Sequence, residues 1–297
     1  MTESEFRYTV VTAFSATRAG GNPAAIVFLD SELPVQAYQE IARNLCQPVT
    51  IFIWVEDGHS GFRSFHARFY TQRGIEIPIC GHATLASGGA VADAARSVGE
   101  EMRKIVHYTK TTEPLTIQRC EDGSWEMTLP TSLTTEGSQQ ERDRLIPIFE
   151  EALGRSLRVK YIGAGREGFE TYLMIVIDEQ DDLAGCVVNA EPLRATGYRV
   201  HTFTASSSTG KEVFVSRMFA PAELLGGEDH VCGSAHCVMA PYWYKEKGIP
   251  LGETIIARQV SQRGGELKIT VQEDRKMRVG GQVRLLAKGT LHVTIPN

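Results

Sequence analysis

Runs of β-branched and aromatic residues alternate with turn-forming clusters along most of the chain, and two segments break that rhythm by being apolar on every face. The run Tyr8-Thr9-Val10-Val11-Thr12-Ala13-Phe14 predicts a strand. Gly20-Gly21-Asn22-Pro23 turns the chain into a second strand over Ala24–Leu29. From Pro34 to Cys46, the positions Val35, Tyr38, Ile41, Ala42 and Leu45 recur at helical spacing behind a proline in the first turn. Strands are predicted next over Thr50–Val55, His66–Thr71 and Glu126–Leu129. Residues 131–147 form the most polar stretch in mid-chain and read as a linker, leading into a short helix over about 144–153. Strand patterns resume at Val159–Ile162, Glu170–Ile177, Tyr198–Ala205 and Glu212–Phe219. The chain closes with Leu267–Gln272, Met277–Leu286 and Thr290–Ile295.

The two exceptions are Cys80 to Ala92 and the segment that begins at Gly233. Both are nearly all small or apolar, the pattern of a helix buried on all sides. Each is introduced by the same block. Glu76-Ile77-Pro78-Ile79-Cys80-Gly81-His82-Ala83 and Glu228-Asp229-His230-Val231-Cys232-Gly233-Ser234-Ala235 both read E-x-x-x-C-G-x-A, with cysteines 152 residues apart. Arg68-Phe69-Tyr70 and Arg217-Met218-Phe219 precede them. The chain therefore reads as two halves with one plan, residues 1–130 and 131–297, and the final strand is free to return to the first half.

Placement at a helix start gives the two thiols a shared chemistry. Unpaired amides and the positive end of the helix dipole favour an anion there, so both cysteines are expected to titrate below the usual ~8.5. The same amides, from Gly81, Gly233 and Ser234, suit a substrate carboxylate. If the halves set the helix starts face to face, one thiolate removes a proton beside a carboxylate and the other thiol returns one to the opposite face. Cys46, Cys120, Cys186 and Cys237 lack this context and are expected in the core.

Composition narrows the partners. The chain has 297 residues, 42% hydrophobic, with 31 basic against 36 acidic residues and a formal charge of −5. Two domains are the natural expectation at this length. No basic run suggests nucleic acid, and no stretch reaches the roughly 20 apolar residues that span a bilayer. Met1-Thr2-Glu3-Ser4-Glu5-Phe6 has no signal-peptide pattern, so a cytoplasmic protein with reduced thiols is expected. No Cys-x-x-Cys pair supports a structural zinc site. Gly163-Ala164-Gly165-Arg166-Glu167-Gly168 fits G-x-G-x-x-G but is followed by a strand pattern, which argues against a dinucleotide site.

The sequence resembles the PhzF-like (phenazine biosynthesis) family of the diaminopimelate epimerase and proline racemase superfamily. The resemblance covers nearly the whole chain. Its markers are Gly21-Asn22-Pro23-Ala24-Ala25, Ile41-Ala42-Arg43, Cys80-Gly81-His82-Ala83-Thr84, Ser216-Arg217-Met218-Phe219-Ala220-Pro221, Glu228-Asp229 with Gly233-Ser234-Ala235-His236, and Arg258-Gln259. It implies an α+β fold of two pseudo-symmetric lobes, each a β-barrel-like sheet wrapped around a central buried helix. It also implies a site between the lobes, no metal and no organic cofactor.

Two departures stand out. Where the family carries S-E-T-x-F, this chain has Pro48-Val49-Thr50-Ile51-Phe52, so Val49 replaces the acid/base glutamate; a gapped alignment offers Gln47. Neither exchanges a proton near neutral pH. In the family block E-D-P-V-T-G-S-A, His230 stands for Pro and Cys232 for Thr. Matching residue to residue, Cys80 and Cys232 become the acid/base pair of a racemase or epimerase. His82 is expected to bond substrate or thiolate, Asp229 a substrate amine or hydroxyl, and Asn22 to add a polar contact from its turn. The partner implied is a small carboxylate- or carbonyl-containing substrate, and a homodimer is compatible. The alternatives are a double-bond isomerase or lyase using His82, Asp229 and one cysteine, and a binding protein without turnover.

Overall fold

The computed structural model of the chain describes residues 2–59, 61–110 and 113–295. They form a mixed α+β protein rich in strands, with few helices. Two compact units emerge: residues up to 128 together with those from 280 onward, and residues 129–279.

In the first unit β1 (Thr2–Ala13) pairs antiparallel with β2 (Asn22–Phe28) on one side. On the other it pairs with the C-terminal strand Val283–Ile295, across a register shift at Val10/Val11. α1 (Val35–Leu45) carries the crossover to β3 (Val49–His59), which lies parallel to β2. Its buried face sets Tyr38 against Tyr70 and Phe52, with ring centroids 5.3 and 4.8 Å away. β3 pairs antiparallel with β4 (Phe62–Thr71), and β4 with the two-residue β5 (Glu76–Ile77). α2 (Gly81–Arg96) then returns the chain to β6 (Lys104–Tyr108), parallel to β4. β7 (Leu115–Arg119) and β8 (Trp125–Pro130) follow in antiparallel order.

The second unit opens with β9 (Thr134–Glu136) and α3 (Gln139–Leu153). Next, β10 (Val159–Gly165) pairs antiparallel with β11 (Tyr172–Ile177), and β11 parallel with β12 (Val200–Ser206). β13 (Phe214–Phe219) pairs antiparallel with β12 and with the two-residue β14 (Glu228–Asp229). After α4 (Gly233–Lys247), β15 (Thr254–Gln259) lies parallel to β13 and antiparallel to β16 (Gly265–Val271), before β17 (Lys276–Gly281). Each unit thus runs through the same succession of pairings, with a two-residue strand just before its buried helix.

Small residues let strands close on these helices. Eleven of the 16 residues of α2 are buried, and a Cβ on Gly88 would lie 2.5 Å from the Trp125 ring. α4 buries nine of its 15 residues, with Trp243 stacked on Phe214 at 5.6 Å. In the second unit Leu145, Phe149, Leu173, Phe203 and Phe219 form the centre of a core between α3 and the sheet.

Several expectations are corrected. Residues 131–147 are not a linker: they hold β9 and the first turns of α3, which begins at Gln139 rather than near 144. Ser138 caps that helix by accepting the Glu141 N–H at 3.2 Å, and Glu141 accepts the Tyr198 hydroxyl at 2.6 Å. A serine three residues before a glutamate is a helix-start signal that the polarity of the stretch masks. Gln282 splits Met277–Leu286, and Thr290–Ile295 is the end of one 13-residue strand. The strand expected from Tyr198 starts at Val200, behind a 3-10 helix over Glu191–Thr196. Of the four cysteines expected in the core only Cys237 is buried; Cys46 is exposed in the left-handed C-cap of α1, and Cys120 and Cys186 are half-buried.

Two outcomes follow from this packing. Gly88→Ala forces a methyl into the indole and should destabilise the chain by about 1–3 kcal/mol in urea unfolding; an unchanged midpoint would show that Trp125 yields without cost. Burial holds His107 at about 3 and His201 and His236 at about 4. Unfolded, they take up protons near 6.5, so their contribution is complete above that pH and is lost as pH falls toward 4. The urea midpoint should fall steadily from pH 6.5 to 4, and a flat profile would contradict this.

Candidate active site

In the first unit the site is built on a buried ion pair. Arg68 on β4 donates through Nε and Nη2 to both carboxylate oxygens of Glu76 on β5, at 2.8 and 2.9 Å. Its guanidinium lies over the Tyr38 ring at 4.6 Å. Arg68, with Lys110 adding to it, holds Glu76 down at about 2, so Glu76 is a fixed brace rather than an acid/base group. The brace delivers Cys80, in extended conformation (φ −145°, ψ 112°), to the N-cap of α2. The Cys80 carbonyl accepts both the N–H of Thr84, at 3.0 Å, and its hydroxyl, at 2.8 Å. Cys80 Sγ is half-buried and lies 3.3 Å from His82 Nδ1. Asn22 Nδ2, at the start of β2, is 3.2 Å from the same nitrogen. An amide NH2 only donates, so Nδ1 is the unprotonated ring nitrogen, and the Asn22 amide and the Cys80 thiol face the same lone pair.

The second unit repeats the construction with different side chains. Arg217 on β13 grips both oxygens of Glu228 on β14, at 2.7 and 2.8 Å, and donates to the Cys186 carbonyl at 2.6 Å. Cys232 is the N-cap of α4 (φ −111°, ψ 107°), and its carbonyl bonds His236 Nδ1 at 2.7 Å. Ser234 Oγ lies 3.3 Å from Cys232 Sγ and 3.1 Å from the Tyr172 hydroxyl. Tyr172 is the first residue of β11, as Asn22 is of β2.

Here one expectation fails. Cys232 is not lowered toward neutrality: burial, reinforced by the Asp229 charge, pushes it up to about 12. Ser234 and the Ala235 amide offset only part of this. A helix start lowers a thiol that water reaches, whereas Cys232 is 7% exposed.

The other site residues are placed as follows. His82 and Asn22 join Cys80, while Ser234 joins Cys232. Asp229 is the last residue of β14, and its carbonyl accepts from Gln259 Nε2 at 2.6 Å. Gly81 and Gly233 are the first helical residues of α2 and α4. A Cβ on Gly81 would meet only Met127 Sδ, at 4.0 Å, so its contribution is the backbone amide. Val49 is buried at the start of β3, and Gln47 is tied to the Leu45 carbonyl. Gly163–Gly168 is the end of β10 and a turn, not a helix entrance. Among the described residues no group of three or more His, Cys, Asp or Glu is arranged to hold a metal, and no helix is long and apolar enough to cross a membrane. A cavity of about 420 Å³ sits by Pro241, Tyr244 and Gly248, at the opposite end of α4 from Cys232. Sequence reading missed Tyr172 and the bonding role of Gln259; the signal for Tyr172 is its position at the strand start that matches Asn22.

Residues 11–289 match the family model for phenazine biosynthesis-like proteins (PhzC-PhzF). The chain belongs to this family. An uncharacterized isomerase of Halalkalibacterium halodurans is 31% identical over 279 residues, covering 93% of this chain and 95% of that protein. The crystal structure of a PhzF-family protein from Enterococcus faecalis superposes with a TM-score of 0.81 at 30% identity, covering 98% of this chain and 100% of the other. A hydroxyproline epimerase from Agrobacterium vitis shares the fold at 11% identity, with a TM-score of 0.59 and coverage of 98% and 92%.

The two helix-start thiols should differ in reactivity. Iodoacetamide near neutral pH should modify Cys80 at least about tenfold faster than Cys232, resolved by peptide mass. Equal rates would contradict the burial of Cys232.

Proposed function

We propose that the chain is a cofactor-independent isomerase of the racemase or epimerase type, which moves a proton alpha to a carboxylate or carbonyl of a small metabolite. Family membership and a relative named an isomerase support the general activity. The observation that carries the finer reading is the matched pair of N-cap thiols, each with a proton-exchanging side chain two residues on: His82 beside Cys80, Ser234 beside Cys232. The two units are read as pseudo-symmetric lobes, each built around its buried helix.

In this reading Cys80 passes its proton to His82 Nδ1 and, as thiolate, removes the α-proton. The carbanion takes the proton of the Cys232 thiol on its other face, leaving Cys232 as thiolate and Cys80 as thiol. His82 keeps its proton throughout; the starting state returns when Cys232 regains a proton from water through Ser234 and Tyr172 and Cys80 releases the substrate-derived proton to water. The high proton affinity of Cys232 suits the donor role in the resting state. Helix-start amides at Gly81, Gly233 and Ser234 hold the substrate carboxylate. Asn22 holds His82 in the tautomer whose Nδ1 is unprotonated, and Asp229 receives a substrate amine or hydroxyl.

The burial of Cys232 also favours a second reading, a double-bond isomerase or lyase that works through His82, Asp229 and Cys80 alone. Proton exchange separates the two. A panel of L- and D-amino acids and α-hydroxy acids is incubated with the protein in deuterium oxide, and loss of the α-proton signal is followed by NMR. Exchange of at least one compound is expected, falling by at least about a hundredfold in both Cys80→Ser and Cys232→Ser. Loss in Cys80→Ser alone would support the second reading, and full activity in both variants would eliminate the two-thiol mechanism.

A further inference from the structure

Gln259 ends β15 and is fully buried. Its Oε1 accepts the Cys232 N–H at 2.9 Å, and its Nε2 donates to the Asp229 carbonyl at 2.6 Å. Ser261, two residues on, donates to the His230 carbonyl at 2.6 Å and accepts the Gly264 N–H at 3.1 Å. The segment 229–232 is thus held at three backbone groups by two side chains. As the amide of an N-cap residue, the Cys232 N–H lies outside the hydrogen-bond ladder of α4. Gln259 supplies the acceptor that this buried donor needs.

We infer that Gln259 is a positioning residue that fixes Cys232 and Asp229 relative to each other by bonding both ends of the segment between them. This rests on the reading of those two residues as parts of one site. An amide suits this role because one side chain presents an acceptor and a donor together. An ionised glutamate of the same shape keeps the acceptor and loses the donor, and a methionine loses both. Reacting groups held to the right geometry accelerate a proton transfer, and a loosened segment forfeits that advantage.

The test uses Gln259→Met and Gln259→Glu in the intact protein, near pH 8 and near pH 5. Labelling by 4,4′-dithiodipyridine is resolved by peptide mass at Cys232 and at Cys237, a buried thiol on the same helix. Each variant is compared with the wild type at the same pH, since Glu228, Asp229 and Arg263 are charged groups near the segment and His230, held below its ordinary value by burial, is a titratable one. Gln259→Met should label Cys232 about tenfold faster at both pH values, with Cys237 little changed, while the urea midpoint falls because two buried backbone groups lose their partner. Gln259→Glu should show the same rise near pH 8. Its rise should vanish near pH 5, where a protonated buried carboxyl again offers one donor and one acceptor. An equal rise at Cys232 and Cys237 would reduce Gln259 to a structural residue, since the loosening would then not be confined to the segment it bonds. An unchanged Cys232 rate in both variants would also overturn the inference. No substrate enters this assay, so its failure is separate from failure of the proton-exchange experiment.

Discussion

The grip of a buried arginine on a carboxylate across a two-residue strand is the constraint on which the helix start of each unit depends. Arg68 with Glu76 and Arg217 with Glu228 make paired charge-assisted hydrogen bonds, and both arginine side chains are less than a tenth exposed. Such a pair resists being opened, because loss of the carboxylate takes a bidentate partner from a guanidinium that water hardly reaches. The two-residue strands it anchors, β5 and β14, are too short to hold themselves. With them fixed, the next few residues have little freedom, and the chain enters the buried helix with a cysteine as its N-cap.

From that point the two units diverge in chemistry while keeping the geometry. Thr84 and His236 act alike four residues after the cysteine, bonding its carbonyl and tying the first helical turn. His82 and Ser234 stand two residues after it, each within reach of sulfur, and Asn22 and Tyr172 back them from a strand start. An imidazole beside a half-buried thiol makes a route for taking its proton away. A hydroxyl pair beside a buried thiol makes a route for handing one on. The proposed two-thiol reaction uses this asymmetry, since it needs one base and one acid at rest.

The sequence exposed this plan where the two halves keep the same residue types. Arginine, glutamate, cysteine and glycine recur because a bidentate clamp and a tight helix entry accept few substitutes, and the repeat of E-x-x-x-C-G-x-A follows. It is least legible where different side chains fill the same geometric role: Asn22 and Tyr172, or Thr84 and His236, match in position but not in residue type. Burial was equally hidden. Cys80 and Cys232 share a motif, yet one is half-buried and the other nearly closed from water, which reverses the expected effect of the helix start on Cys232. The short strands were missed because two to six residues carry too little alternation, and the cap of α3 because its serine lay in a stretch whose polarity suggested a linker.

The central claim is that both thiols act on one α-carbon, which requires both sulfurs to come within reach of a single small molecule. 1,3-Dibromoacetone tests it directly, since its reactive carbons are separated by one carbonyl carbon. First attack at Cys80 tethers the second carbon, and the high effective concentration compensates for the poor reactivity of Cys232. Digestion followed by mass spectrometry should yield a bridged pair of peptides containing Cys80 and Cys232. Cys80 adducts with the second bromide hydrolysed, and no bridge to Cys232, would contradict the two-thiol mechanism.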